Sequence, residues 1–110
     1  MNTKIINIVK DFNENPYGRT IDLDGETSGE NFRKKILAPA LHEYENVEVI
    51  LDGYNRYGRS FLDEAFGGLI REEKFTKAEL DRKLHYSHKL VKSIELIIKD
   101  RIEAAARDCE

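Results

Sequence analysis

The chain is poor in the features that mark specialised protein classes. It has one cysteine in 110 residues, Cys109, beside the last residue. A lone cysteine has no partner for a disulfide framework and cannot by itself build a cysteine-based zinc site, so the composition fits a reducing cytoplasm. No apolar run approaches the ~18 residues that a membrane helix needs. The opening MNTKIINIVKDF also lacks the long hydrophobic region of a secretory leader. Neither membrane insertion nor secretion is expected. A charge excess of one sign is missing too: 18 Lys and Arg against 21 Asp and Glu leave a net charge of -3. A nucleic-acid surface needs a basic excess on one face, so no nucleic-acid partner is expected. The phosphate-cradling runs G-x-x-x-x-G-K-[S/T] and G-x-G-x-x-G do not occur, nor does the nucleophile elbow G-x-S-x-G.

What is present is charge of both signs. Charged residues make up 35% of the chain, above the roughly 25% usual for globular proteins, and they are interspersed. The length suits one domain with a core of its own, so residues 1–110 are read as a single domain, with 1–17 as an N-terminal strand and turn. The apolar-rich run from Lys4 to Val9 has strand length and ends in the turn-prone Asn13-Glu14-Asn15-Pro16. Thr20-Ile21-Asp22-Leu23 alternates with period two between Gly18 and Gly25 and reads as a short strand. Thr27 with Glu30 makes a capping box for a helix whose apolar stripe is Phe32, Ile36, Leu37, Ala40, Leu41 and Tyr44, with Pro39 positioned to kink or divide it. Val47, Val49 and Leu51 form a β-branched run closed by Gly53, the strand expected at the centre of the sheet.

The loop Gly53-Tyr54-Asn55-Arg56-Tyr57-Gly58-Arg59 leads from that strand into a helix over 60–70. Ser60 and Asp63 have capping-box spacing there, and Phe61, Leu62, Ala65, Phe66, Leu69 and Ile70 make one apolar stripe. Thr76 caps a further short helix with Glu79 in its first turn, Leu84-His85-Tyr86 make a short strand, and a long helix runs from Leu90 through Ile94, Ile98, Ile102 and Ala105. Strands alternating with helices indicate an α/β domain with a mixed sheet.

Two adjacent glycines, Gly67 and Gly68, sit inside the 60–70 helix, where each costs about 1 kcal/mol relative to alanine. Two accounts of them stay open. Either they let a neighbouring helix approach closely, or they keep an exposed face flat for a partner. On the second account Gly68 is the more exposed of the pair.

Other clusters carry weaker signals. His85 and His88 form H-x-x-H without a third ligand, and Asp22, Asp24 and Glu26 cluster without calcium-loop spacing, so no metal and no cofactor is expected. A hydrolase or nuclease centred on Asp22, Asp24 and Asp63 lacks a paired base, so no catalytic residue is assigned. His42 reads as solvated, and Cys109 as unreactive. Tyr54, Arg56, Tyr57 and Arg59 interleave aromatics with cations, a composition suited to protein hot spots and to nucleotide contacts alike.

The stretch LDGYNRYGRSFLDEAFGGLI, with SFLDEAFGGL as its core, resembles the STAS domain of sulphate transporters and anti-sigma factor antagonists. It resembles more closely the STAS-like family of uncharacterised bacterial domains, over about Gly18 to Ala106. The resemblance implies a sheet with helices mainly on one face. In anti-sigma factor antagonists the matching loop and helix dock on a kinase-like anti-sigma partner, and an Asp precedes a phosphorylatable Ser. Asp63 matches that Asp, whereas Glu64 stands at the phosphoacceptor, which puts the phospho-switch in doubt.

The reading that results is a non-enzymatic regulatory protein–protein interaction domain. It docks a kinase-like or anti-sigma-like regulator through the loop and helix at 54–68, using Tyr54, Arg56, Tyr57, Arg59, Ser60, Asp63, Glu64, Gly67 and Gly68. The alternative is a small-ligand or nucleotide sensor using the same loop and the helix N-terminus at Ser60.

Overall fold

The run Asn-Val-Glu-Val-Ile becomes the middle strand of a three-stranded sheet in the computed structural model, which describes residues 2–109. Strand β1 (Thr3–Asn7) is followed directly by the helical turn α1 (Ile8–Asp11). The short helix α2 (Ile21–Asp24) then precedes a helical stretch over 29–43, made of α3 (Gly29–Phe32), a wider π-helical turn (Arg33–Leu37) and α4 (Ala38–Glu43). Strand β2 (Asn46–Ile50) leads into a second stretch of the same design over 59–71: α5 (Arg59–Leu62), a π-helical turn (Asp63–Gly67) and α6 (Gly68–Arg71). Helix α7 (Lys77–Lys83), strand β3 (Leu84–Ser87) and the long helix α8 (Lys92–Asp108) complete the chain.

The strand order is β1-β2-β3 and both pairings are parallel. The sheet expected to be mixed is therefore wholly parallel among the described residues, because every strand-to-strand connection passes through helices and none is a hairpin. The α/β class and the central place of β2 are as expected. The helices cover one face. Val47, Val49, Ile6 and Leu84 are buried against them, while the register row Ile5, Glu48 and His85 is exposed on the opposite face.

Three local expectations change. Residues 21–24, read as a strand, are helical: the Thr20 side chain accepts from the Leu23 N–H, and Asp24 turns back to accept from the Arg19 N–H. That capping overrides a four-residue alternation. The cap of the 29–43 stretch is Ser28, whose hydroxyl accepts from the Asn31 N–H, and not Thr27, which bonds the Tyr17 carbonyl. Pro39 does not divide that stretch, since it falls at the second position of α4, just after the π-helical turn has already changed the hydrogen-bond ladder.

The expected Ser60 cap also fails. The helix begins at Arg59 after Gly58 with no side-chain cap, and Ser60 is exposed within its first turn. At α7, by contrast, the full capping box forms between Thr76 and Glu79. Thr76→Ala should therefore lower stability by about 0.5–2 kcal/mol. Ser60→Ala should stay within about 0.5 kcal/mol of the parent. Paired urea melts check both: equal losses at the two sites would contradict the assignment of the caps.

Candidate functional site

The loop after β2 is built from the inside outward. Gly53 takes a φ of +100°, which turns the chain out of the strand, and Val9 fills the space beside it. Tyr57 is buried and packs on Phe61 at 5.8 Å between ring centroids, while Tyr54 meets Tyr57 edge-on at 5.0 Å. Burial, aided by the neighbouring Tyr54 and Asp52, pushes the Tyr57 phenol upward, so it stays protonated.

His88 holds the loop from the other side. It is completely buried, its Nδ1 accepts from the N–H groups of Leu90 and Val91, and its Nε2 lies 2.9 Å from the Tyr54 carbonyl oxygen. Two donors at Nδ1 fix the neutral tautomer with its proton on Nε2, donating to Tyr54. The Lys89 N–H donates to Asp52 Oδ2, so the entry to α8 and the loop are joined twice. Asp52 Oδ1 and the Tyr57 hydroxyl are buried without a hydrogen bond among the described residues, and both belong to this loop.

Beneath the loop, the 59–71 helix carries a network of ion pairs. Arg33, 1% exposed, reaches from the 29–43 stretch to Glu64 at 2.7 Å and Glu73 at 3.0 Å, and also donates to the Glu64 carbonyl. Burial opposes its charge, and the bonds to Glu64 and Glu73 outweigh that opposition. Asp63 accepts from Arg19 at 2.7 Å and Arg71 at 3.1 Å, with Arg101 of α8 at 3.6 Å. The two π-helical turns thus face each other with opposite charges, Arg33 opening one, Asp63 and Glu64 the other.

Both glycines lie inside this network. A β-carbon on Gly68 would overlap the Arg33 guanidinium, within 2.8 Å of its Cζ, and one on Gly67 would lie 2.8 Å from an Arg71 nitrogen and 3.2 Å from the Arg101 carbonyl oxygen. Of the two accounts of the pair, close internal packing is the one the geometry supports. Gly68, expected to be the more exposed, is buried under an arginine.

The nine site residues read from the sequence therefore separate. Arg56, Arg59 and Ser60 are exposed and Tyr54 is half-buried. Among the described residues Arg59 has one ion-pair contact, a long one of 3.5 Å to Asp100. Tyr57, Asp63, Gly67 and Gly68 are buried, and Glu64 is held between Arg33 and Arg19, so these five support the surface and do not line it. His88, Asp52 and Arg33 went unassigned in the sequence. Arg33 left a trace, because it stands four residues before Leu37 and eight before Leu41 on the buried line of its helix. No three His, Cys, Asp or Glu side chains converge as metal ligands among the described residues. His85 is exposed on the sheet while His88 is buried at its end, so the H-x-x-H pair does not converge. No described helix is long and apolar enough to cross a membrane.

The network has a pH signature. Burial raises the Asp63 carboxyl, but the bonds donated by Arg19 and Arg71 outweigh burial and hold it below the ordinary carboxylate value. A carboxyl depressed in the folded state contributes stability in full above its unfolded value, and that contribution is lost as pH falls through the folded value. The parent should lose stability as pH drops below about 4, and Asp63→Asn should flatten that acid limb. Denaturant melts across the acid range measure this, and an unchanged slope in the variant would contradict it.

Residues 28–94 match the model of a family described as a STAS-like domain of unknown function. The chain belongs to that family. The matched segment runs from Ser28, the cap of the first long helical stretch, to Ile94 in α8, and takes in the loop after β2 and the whole Arg33–Glu64–Glu73 clamp. No curated protein and no solved structure matches the chain.

Proposed function

We propose that this STAS-like domain is a non-enzymatic regulatory module of the bacterial cytoplasm that docks a protein partner through the surface of Tyr54, Arg56, Arg59 and Ser60. One observation carries the reading: Arg56, on a loop that Tyr57 and His88 anchor from within, and Arg59 and Ser60, in the first turn of α5 that follows it, are exposed. An anchored loop loses little conformational freedom on binding, which favours affinity. Arginine and tyrosine are the residue types that dominate protein hot spots. The two buried polar atoms without hydrogen bonds, on Asp52 and Tyr57, are the kind of local compromise that proteins keep at functional positions. A kinase-like or anti-sigma-like regulator is the partner class that the family resemblance suggests. Glu64, at the phosphoacceptor position, is already clamped by Arg33 and Arg19, so docking here works without a phosphate at that residue.

The alternative, a nucleotide or small-ligand sensor on the same loop, has less support. A cleft of about 320 Å³ lies elsewhere, among Lys77, Leu84, Tyr86, Lys99 and Glu103 between α7, β3 and α8. Affinity capture from the native cell separates the readings. Capture of a protein by the parent and by a Lys77→Ala control, lost in Arg56→Ala/Arg59→Ala, is the expected result. Equal capture by all three, or a thermal shift with a nucleotide that the double variant abolishes, would overturn the docking reading.

A further inference from the structure

Apart from Ile5 on the open sheet face, the large apolar side chains that stand exposed come from two segments of the chain, 17–23 and 90–96. The first lies on the excursion between α1 and α3. Tyr17, Ile21 and Leu23 are exposed there, Leu23 to 82%, together with the carboxylates of Glu14, Asp22 and Glu26. Among the described residues none of these three carboxylates pairs with a cation. Arg19, the one cation of residues 14–26, is turned inward to Asp63.

The second patch lies where α8 passes the loop after β2. Leu90 and Leu96 are exposed to 80% and 67%. Leu96 precedes Asp100, which touches Arg59, by one helical turn, and Leu90 follows the His88 and Lys89 contacts to the loop. Arg56 and Lys89 are exposed here without a salt bridge among the described residues. Of the neighbouring carboxylates, Glu95 pairs with Lys92 and accepts from the His88 N–H, Asp100 pairs with Arg101, and Asp52 accepts from the Lys89 N–H through Oδ2.

We propose that these patches are the two halves of a head-to-tail contact between copies of this chain. Each offers leucine surface that gains by leaving water, and each carries the charge the other lacks. A contact of like patches would set carboxylates against carboxylates or cations against cations, so the acidic patch of one copy meets the basic patch of the next. Repeated head to tail, that contact builds a ring or an open chain of copies, and made twice about a twofold axis it closes a dimer. The patches are small, which places the contact in the weak class below about 1,200 Å². Exposed charges steer it, so salt weakens it. The proposal goes beyond the docking reading and does not depend on it.

Sedimentation velocity on the whole chain tests it. The parent's mean sedimentation coefficient should rise with protein concentration at low salt and fall back when salt is added. Asp22→Lys/Glu26→Lys and Arg56→Glu/Lys89→Glu alter exposed positions and should melt like the parent. Each alone should stay monomeric, because each carries one sign of charge on both patches, and an equimolar mixture of the two should associate. Leu96→Ser, which changes no charge, should weaken self-association roughly tenfold. A parent that stays monomeric at every concentration, or a mixture of the two charge variants that does not associate, would overturn the proposal.

Discussion

Gly68→Ala should lower the stability of this domain by about 2–4 kcal/mol, against the usual direction of such a change. In a helix interior, replacing glycine with alanine ordinarily gains about 1 kcal/mol from backbone entropy. Here the new methyl group would occupy the space of the Arg33 guanidinium. Arg33 has nowhere to go, since it is buried along its length and held at once by Glu64, Glu73 and a backbone carbonyl. Displacing it breaks a buried ion pair, a loss of about 3–5 kcal/mol, from which the helix gain of about 1 is subtracted. Chemical denaturation measures the difference directly. A variant as stable as the parent would mean that the guanidinium can leave its clamp without loss.

Arg33→Ala should lose more, about 3–5 kcal/mol, because it removes the cation and keeps both carboxylates. Glu64 and Glu73 are largely screened from solvent by the packing around them, and Glu64 would be left with only Arg19, 3.5 Å away. The Glu64 carbonyl would lose its donor as well. Arg33→Lys should recover little of the loss, since one ammonium cannot reproduce the fork that serves Glu64 and Glu73 through separate nitrogens. Full recovery with lysine would show that the site needs only a charge.

The helices and strands that rest on long-range burial were legible in the sequence. The run Val47 to Leu51 and the terminal helix carry patterns that only one kind of element satisfies, and both are where the pattern put them. Short elements were legible only in part: the Thr76-capped helix and the strand at Leu84 are where they were expected, and the segment at 21–24 is not a strand. Over Thr20 to Leu23, four residues of alternation lost to side-chain bonds from Thr20 and Asp24, contacts that spacing alone does not reveal. Sheet direction is equally hidden, because a strand's own pattern is compatible with either orientation of its neighbour.

Within the stretch 54–68 the sequence did not reveal which residues are core and which are surface. Tyr57 and Arg56 are adjacent and equally plausible as contacts, yet one is core and the other surface. Gly68 illustrates the limit most clearly. Its role depends on Arg33, 35 positions earlier, and pairings at such separation leave no local periodicity to read.

The double-mutant cycle between Arg33 and Gly68 tests that dependence most directly. With Arg33 already replaced by alanine, the space over Gly68 is free, and Gly68→Ala should then raise stability by about 1 kcal/mol through helix propensity alone. The substitution would change sign between the two backgrounds. If Gly68→Ala lost the same stability with Arg33 present or absent, Gly68 would owe nothing to the buried arginine, and the account of this helix would be contradicted.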